Sequence, residues 1–187
     1  MDLGVRAQES SLSGIFAQGE RLCMPPYQRS YSWGEREALD LLGDLAEATD
    51  SDIPHFIGAV VLVNGAESGM VEIVDGQQRL TTLTILLAVL RDLEADKDRS
   101  AALHAMIADE DRPMLGEAAS WRLTLNYMDG AFFRDTIQRP GATRTLENEP
   151  GESDSQQRMV GNAKAILKEL KQVSDERRRA LTDTVVN

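Results

Sequence analysis

A carboxylate, two amides and a guanidinium follow one another in Asp75-Gly76-Gln77-Gln78-Arg79. They sit between the β-branched run Val71-Glu72-Ile73-Val74 and an apolar segment that reaches Leu93. Buried without partners, each would cost roughly 1–3 kcal/mol, so something polar has to meet them. The flanks read as strand, tight turn and helix, with the turn at Asp75-Gly76. The four groups therefore fall at a helix N-terminus, which already carries free N–H groups and about half a positive charge. Arg79 adds a full charge in the first helical turn. A phosphate is the guest that such a turn suits. The Asp75 carboxylate beside it could hold a magnesium ion or orient a water, with Gln77 or Gln78 helping to place that water. The plainer alternative is that Asp75 caps the helix and Arg79 pairs with a nearby acid. Capping alone does not call for four polar groups in succession.

A second chemical stretch lies upstream, Leu22-Cys23-Met24-Pro25-Pro26-Tyr27-Gln28-Arg29-Ser30-Tyr31-Ser32-Trp33. The paired prolines favour an extended backbone. Tyr27, Tyr31 and Trp33 alternate with polar residues and can line one side, leaving Gln28 and Arg29 to reach elsewhere. An extended, aromatic, polar segment can form the wall of a ligand site. It can also be an edge strand packing its rings on the core, which explains Arg29 less well.

The elements that must position these groups can be taken in chain order. Residues 1–19 are weakly patterned, with Leu12, Ile15 and Phe16 able to make one amphipathic turn. Ser32-Trp33-Gly34-Glu35 has capping-box spacing, and the helix it predicts runs to about Thr49, burying Leu39, Leu42, Leu45 and Ala46. Phe56 to Val63 is β-rich and nearly free of polar residues, which predicts a central strand. A turn from Asn64 to Gly69 returns the chain as its hairpin partner, Met70 to Val74. His55, just before that strand, reads as a structural hydrogen bonder in preference to a catalytic residue; Gly58 marks either close backbone approach to a ligand or only a bulge. The helix from Leu80 to about Leu93 is apolar nearly all round and belongs in the middle of the domain. Ala101 to Ala108 is a modest helix and Asp109 to Pro113 a loop. Trp121 to Leu125 alternates as a half-buried strand, and Asp129 caps a helix holding Phe132, Phe133 and Ile137. Residues 139–156 are rich in Pro, Gly, Glu, Ser and Asn and predict a long mobile loop. A last amphipathic helix runs from about Gln156 to Val173 with Val160, Ile166, Leu167 and Leu170 inward. Beyond Arg177-Arg178-Arg179 there is no helix stop signal, and the chain is expected to continue in the natural protein.

The 187 residues suffice for one substantial domain, and 42% hydrophobic content promises a real core. A formal net charge of −11 argues against a surface that grips DNA non-specifically all over, because such binding depends on Lys and Arg displacing counterions. The lone Cys23 cannot form an internal disulfide, which suits a reducing cytoplasm; with His55 and His104 it makes no zinc-type cluster. No signal peptide is apparent. The apolar run Leu83 to Leu90 is too short to span a bilayer, so no membrane partner is expected.

Three motifs together resemble one family: Pro26-x-Gln28-Arg29-x-Tyr31-x-Trp33, then Phe56-Ile57-Gly58, then Asp75-Gly76-Gln77-Gln78-Arg79-Leu80-Thr81. They look like the N-terminal domain of GmrSD-type restriction proteins, large bacterial anti-phage proteins. Arg122-Leu123-x-Leu125 and Asp129-x-x-x-Phe133 extend the resemblance over roughly residues 20 to 172. It implies an α+β fold, a small ParB/sulfiredoxin-like β-sheet surrounded by several helices. The implied organisation is a weakly structured segment 1–19, a nucleotide-binding domain 20–138, a flexible loop 139–156 and a helical segment 157–187 packing on the domain. By the same resemblance Asp75, Gln77, Gln78 and Arg79 are catalytic, Gly76, Arg79, Leu80, Thr81 and Thr82 bind nucleotide, and Asp75 holds Mg²⁺. The activity implied is hydrolysis of GTP, ATP or another NTP by a regulatory and sensor domain. Tyr27, Gln28, Arg29, Tyr31 and Trp33 would sense modified DNA, for example phosphorothioated DNA. Cleavage would fall to a separate C-terminal nuclease domain of HNH type.

Two functional classes emerge: a nucleoside triphosphatase, and a non-catalytic reader of modified DNA. A purely structural oligomerisation module would leave the polar turn unexplained, and self-association is left open.

Overall fold

The structure, a computed structural model, describes residues 6–17, 21–51, 56–65, 69–109, 120–146 and 151–186. It is an α+β fold built on a four-stranded mixed sheet in the order β2-β3-β1-β4. The strands are β1 (Arg21–Cys23), β2 (Val61–Asn64), β3 (Met70–Asp75) and β4 (Leu123–Thr124). β1 runs parallel to both β3 and β4, and β2 closes the sheet as an antiparallel hairpin with β3. The register sets Leu22 opposite Val71 and Leu123. These three and Ile73 are buried, so period-two alternation turns one face of the sheet onto the helices.

The helices are α1 (Leu12–Ala17), α2 (Glu35–Ala48), α3 (Gln77–Leu93), α4 (Lys97–Ala105), α5 (Gly130–Phe133), α6 (Asp154–Gln172) and α7 (Asp175–Val186). As its sequence predicts, α3 is the buried centre: every residue from Leu80 to Asp92 is buried, with α4 and α6 packed against it. No helix among the described residues is long and apolar enough to cross a membrane.

Several expectations change. The run Phe56 to Val63 is not a central strand: only Val61–Asn64 pairs, at the sheet edge, and it is exposed along its length. Gly58 adopts a φ of 109°, outside extended backbone, and the pairing shifts register between Val61 and Leu62, so the β-rich run is broken before it can cross the sheet. The paired prolines do not prolong β1; Pro25 to Gln28 form a turn closed by the Gln28 N–H on the Pro25 carbonyl (3.1 Å), with Pro26 in the position its fixed φ favours. The N-cap of α2 is Gly34 rather than Ser32, and Glu37 reaches back to the Gly34 N–H at 2.9 Å. The α2 stripe accordingly shifts to Ala38, Leu41, Leu42, Leu45 and Ala48, leaving Leu39 and Ala46 half-buried. Asp129 does stand at the N-cap position of α5, but its buried carboxylate makes no capping bond, and α5 passes into a π-helical turn, Arg134–Gln138. His55 lies outside the described residues.

The segment predicted as a mobile loop is anchored over its first part. Arg91 and Asp92, buried near the end of α3, hold it. The Asp92 carboxylate accepts from the Arg91 Nε (2.8 Å), the Gly141 N–H (2.9 Å), and the Thr143 N–H (3.1 Å) and hydroxyl (2.7 Å). Arg91 spends its remaining nitrogens on the Gln138 carbonyl (2.5 Å) and the Arg139 carbonyl (2.8 Å). Composition marks residues 139–146 as loop, yet a buried ion pair on another element supplies the polar partners that such a backbone needs.

The C-terminal arginines also find acids. Arg177 clasps Asp50, and Arg179 donates to Glu94 at 3.0 Å. That guanidinium lowers the Glu94 pKa from 4.5 to about 2. A carboxyl depressed in the folded state contributes stability above its unfolded pKa and loses it as pH falls through its folded one. The melting temperature should therefore drop as pH falls from about 4.5 towards about 2, and Glu94→Gln should remove its share of that slope. Superimposable pH profiles of wild type and variant would show that the pair does not couple to folding.

Candidate functional site

The strand-to-helix turn is set by Gly76. It ends β3 with φ 89° and ψ 4°, a left-handed conformation costly for residues with a Cβ, and a Cβ there would come within 2.9 Å of the Val60 Cγ2. Gly76 itself is the N-cap of α3, and no side chain caps the helix. The first intrahelical bond runs from the Leu80 N–H to the Gly76 carbonyl at 3.0 Å. The N–H groups of Gln77, Gln78 and Arg79 precede that bond and stand as the donors of an uncapped helix end.

Asp75, last in β3, is exposed, and its carboxylate has no hydrogen bond or ion pair to a described residue. It does not cap α3. Arg79 is half-buried; its Nη1 donates to the Ala59 carbonyl at 3.0 Å, and the guanidinium lies so close over Gly58 that a Cβ there would sit 2.6 Å from its Cζ. The close neighbour of Gly58 in the structure is therefore the chain's own Arg79 side chain. Arg79 pairs with no carboxylate among the described residues, and Asp75 does not cap α3, so the plainer account of the turn is not what the described residues show.

The two glutamines differ. Gln77 is 8% exposed, and its buried Oε1 has no hydrogen-bond partner among the described residues. Gln78 is fully engaged: its Oε1 accepts from the N–H groups of Ser32 (2.7 Å) and Trp33 (3.3 Å), while its Nε2 donates to the Ser30 carbonyl (3.4 Å). Leu80, Thr81 and Thr82 turn into the core, and both threonine hydroxyls donate one turn back, to the carbonyls of Gln77 (2.8 Å) and Gln78 (2.9 Å).

The aromatic segment does not present one wall. Tyr31 is 2% exposed, Trp33 is half-buried, and Tyr27 is 72% exposed. A relay of hydroxyls explains the difference. The Asn162 Nδ2 donates to the Tyr31 hydroxyl (2.7 Å), which in turn donates to the Thr82 Oγ1 (2.7 Å), already committed as a donor to Gln78. Burial raises the Tyr31 pKa and keeps the phenol protonated for that role. Gln28 fixes the turn from the other side, its Nε2 donating to the Val74 carbonyl at 3.0 Å. Arg29 is exposed. Tertiary structure thus makes the two motifs one unit, joined through Gln28, Gln78 and Tyr31.

The model of the GmrSD restriction endonuclease N-terminal domain matches residues 12–185. The chain belongs to that family. Among curated proteins no match was found. The match extends beyond the motif-bearing residues 20 to 172 to include α1 and most of α7, and it places the GmrSD N-terminal domain described here in a restriction protein.

In this GmrSD domain, Asn162 on α6 is the supporting residue that motif reading missed. It is 1% exposed and also donates to the Trp33 carbonyl at 3.0 Å. Its signal was one amide on the apolar stripe of Met159, Val160, Ala163 and Ile166. A polar residue in such a stripe needs a partner, but the sequence does not say which.

Proposed function

We propose that this domain binds and hydrolyses a nucleoside triphosphate, GTP or ATP, at the N-terminus of α3. One observation carries the reading: at an uncapped helix end, the buried Gln77 Oε1 lacks a partner and Arg79 and Asp75 lack ionic ones among the described residues. A buried unsatisfied acceptor costs roughly 1–3 kcal/mol, which a bound water or ligand would relieve. The N–H groups of Gln77, Gln78 and Arg79 and the Arg79 guanidinium would take the phosphate oxygens. The Gln77 Oε1 would accept a hydrogen bond from a water beside them, and Asp75 would orient that water or accept its proton. Gln78 acts through Ser30, Ser32 and Trp33, holding the wall of the site in register. Leu80, Thr81 and Thr82 support the turn from within.

Among the described residues no group of three or more His, Cys, Asp or Glu side chains gathers for a metal. Asp75 nevertheless suits Mg²⁺, which is commonly held by one or two carboxylates plus the substrate phosphates. Bound there, the ion would neutralise charge developing on the phosphates.

Asp75→Ala should abolish phosphate release and leave the melt unchanged, because the exposed carboxylate holds no other described residue. Hydrolysis at the wild-type rate would remove Asp75 from the mechanism. In the restriction protein we read nucleotide turnover as the regulatory step before a separate C-terminal nuclease domain cuts modified DNA, for example phosphorothioated DNA.

The exposed Tyr27 and Arg29 favour a second role, recognition of modified DNA. Tyr31 is committed to the core and can serve that role only by support. Arg29→Ala should weaken binding to phosphorothioated DNA more than binding to GTP. Equal losses would mean that a single site serves both ligands.

A further inference from the structure

The parallel strands β3, β1 and β4 all end on the same side of the sheet, and each of them leads into a turn. After β3 comes the phosphate turn, after β1 the Pro25–Gln28 turn, and after β4 the loop Leu125 to Asp129. In open sheets with parallel strands, ligands sit outside those carboxyl ends. Large apolar side chains are exposed at just this rim: Tyr27 at 72%, Tyr127 at 84% and Met128 at 60%.

The β4 loop is pinned from beneath. The buried Asn126 accepts through its Oδ1 from the N–H groups of Met128 (3.2 Å) and Asp129 (3.2 Å). The buried Asp129 accepts from the Ser155 hydroxyl on α6 (2.7 Å), and Gln156 donates to the Met128 carbonyl (3.5 Å). A ring held out in solvent on a turn whose Met128 and Asp129 N–H groups are tied down is a preorganised stacking surface.

Resting on the nucleotide reading of the α3 turn, we infer that Tyr127, next to Met128 and with Tyr27 on the turn after the neighbouring strand, is the nucleobase-stacking subsite of that same ligand. β4 lies two strands from β3, roughly 10 Å at the usual inter-strand spacing, a distance that a nucleotide covers between its terminal phosphate and its base. The phosphates would lie at Gln77 and Arg79 and the base across the end of β1, on Tyr127. Stacking accepts any base face, so this subsite would add affinity for GTP and ATP alike.

The test compares Mg²⁺-GTP, Mg²⁺-ATP and inorganic tripolyphosphate by titration calorimetry on wild type, Tyr127→Ala, Tyr127→Phe and Arg79→Ala. Tyr127 is exposed, so its variants should fold. Tyr127→Ala should weaken both nucleotides by roughly 5- to 150-fold, the range of base–aromatic stacking. Tripolyphosphate binding should stay unchanged, and Tyr127→Phe should bind nucleotides as wild type does. If Tyr127→Ala leaves nucleotide binding unchanged, or weakens tripolyphosphate equally, the stacking subsite is overturned while the phosphate site stands through its Arg79 dependence. If wild type binds neither nucleotide nor tripolyphosphate, both readings fall together.

Discussion

Replacing Arg79 with Ala should weaken nucleotide binding by roughly 10- to 150-fold, because a charge-assisted hydrogen bond to phosphate is worth about 1.5–3 kcal/mol. The structure makes the companion result equally specific. Arg79 has a single hydrogen bond, to the Ala59 carbonyl, and no ionic partner among the described residues, so its loss strands no buried charge. The melt without ligand should stay close to that of wild type, and the upshift that Mg²⁺-GTP or Mg²⁺-ATP confers should be lost. Arg79→Lys should recover only part of the affinity, since an ammonium keeps the charge but not the planar fork. A lowered melt without ligand, together with a retained upshift, would make Arg79 a structural residue and end the nucleotide reading of this turn.

Asp92→Ala should destabilise the domain strongly. It would leave Arg91 buried without its counterion, and the Gly141 N–H and the Thr143 N–H and hydroxyl without their acceptor. Breaking a buried pair by removing one partner costs about 3–5 kcal/mol. In a chain of this size each kcal/mol moves the melting temperature by roughly 2–4 °C, so a fall of roughly 6–20 °C is expected. Asp92→Asn keeps one acceptor oxygen and should fall less. An unchanged melt in Asp92→Ala would show that residues 139–146 do not depend on this anchor. Nucleotide affinity measured well below the lowered melting temperature should hardly change, because Asp92 lies near the far end of α3 from Gln77.

The local chemistry of the site was legible in the chain. A β-branched run, Asp-Gly, and an apolar segment with no charge between Arg79 and Arg91 specify strand, turn and buried helix, and Gly76 meets the positive φ that such a turn demands. The stripe of α6 and the alternation around Leu123 were legible for the same reason: periodicity records which side of an element faces the core. Strand rank was not. Phe56 to Val63 looks central because apolar composition suits burial, but an edge strand on a ligand-binding or partner-binding rim can be equally apolar.

The sequence by itself determined the turn at Gly76, the buried helix behind it and the set of polar groups gathered there, because backbone preference and periodicity act over a few residues. Only the tertiary structure decided which of those groups remain unspent. Gln77 and Gln78 are identical neighbours, yet a helix turns successive side chains by about 100°. One amide therefore meets the backbone of Ser30 to Trp33, and the other is left with a buried oxygen and no partner. In the same way, Tyr27 and Tyr31 differ only in what folds over them. Asn162 and Thr82, distant in the chain, take the second hydroxyl into the core, and the first ring is left at the rim. Hydrogen-bond partners contributed by remote segments cannot be read from local pattern, and here they separate the side chains tied into the fold from those left at its surface or without a partner among the described residues.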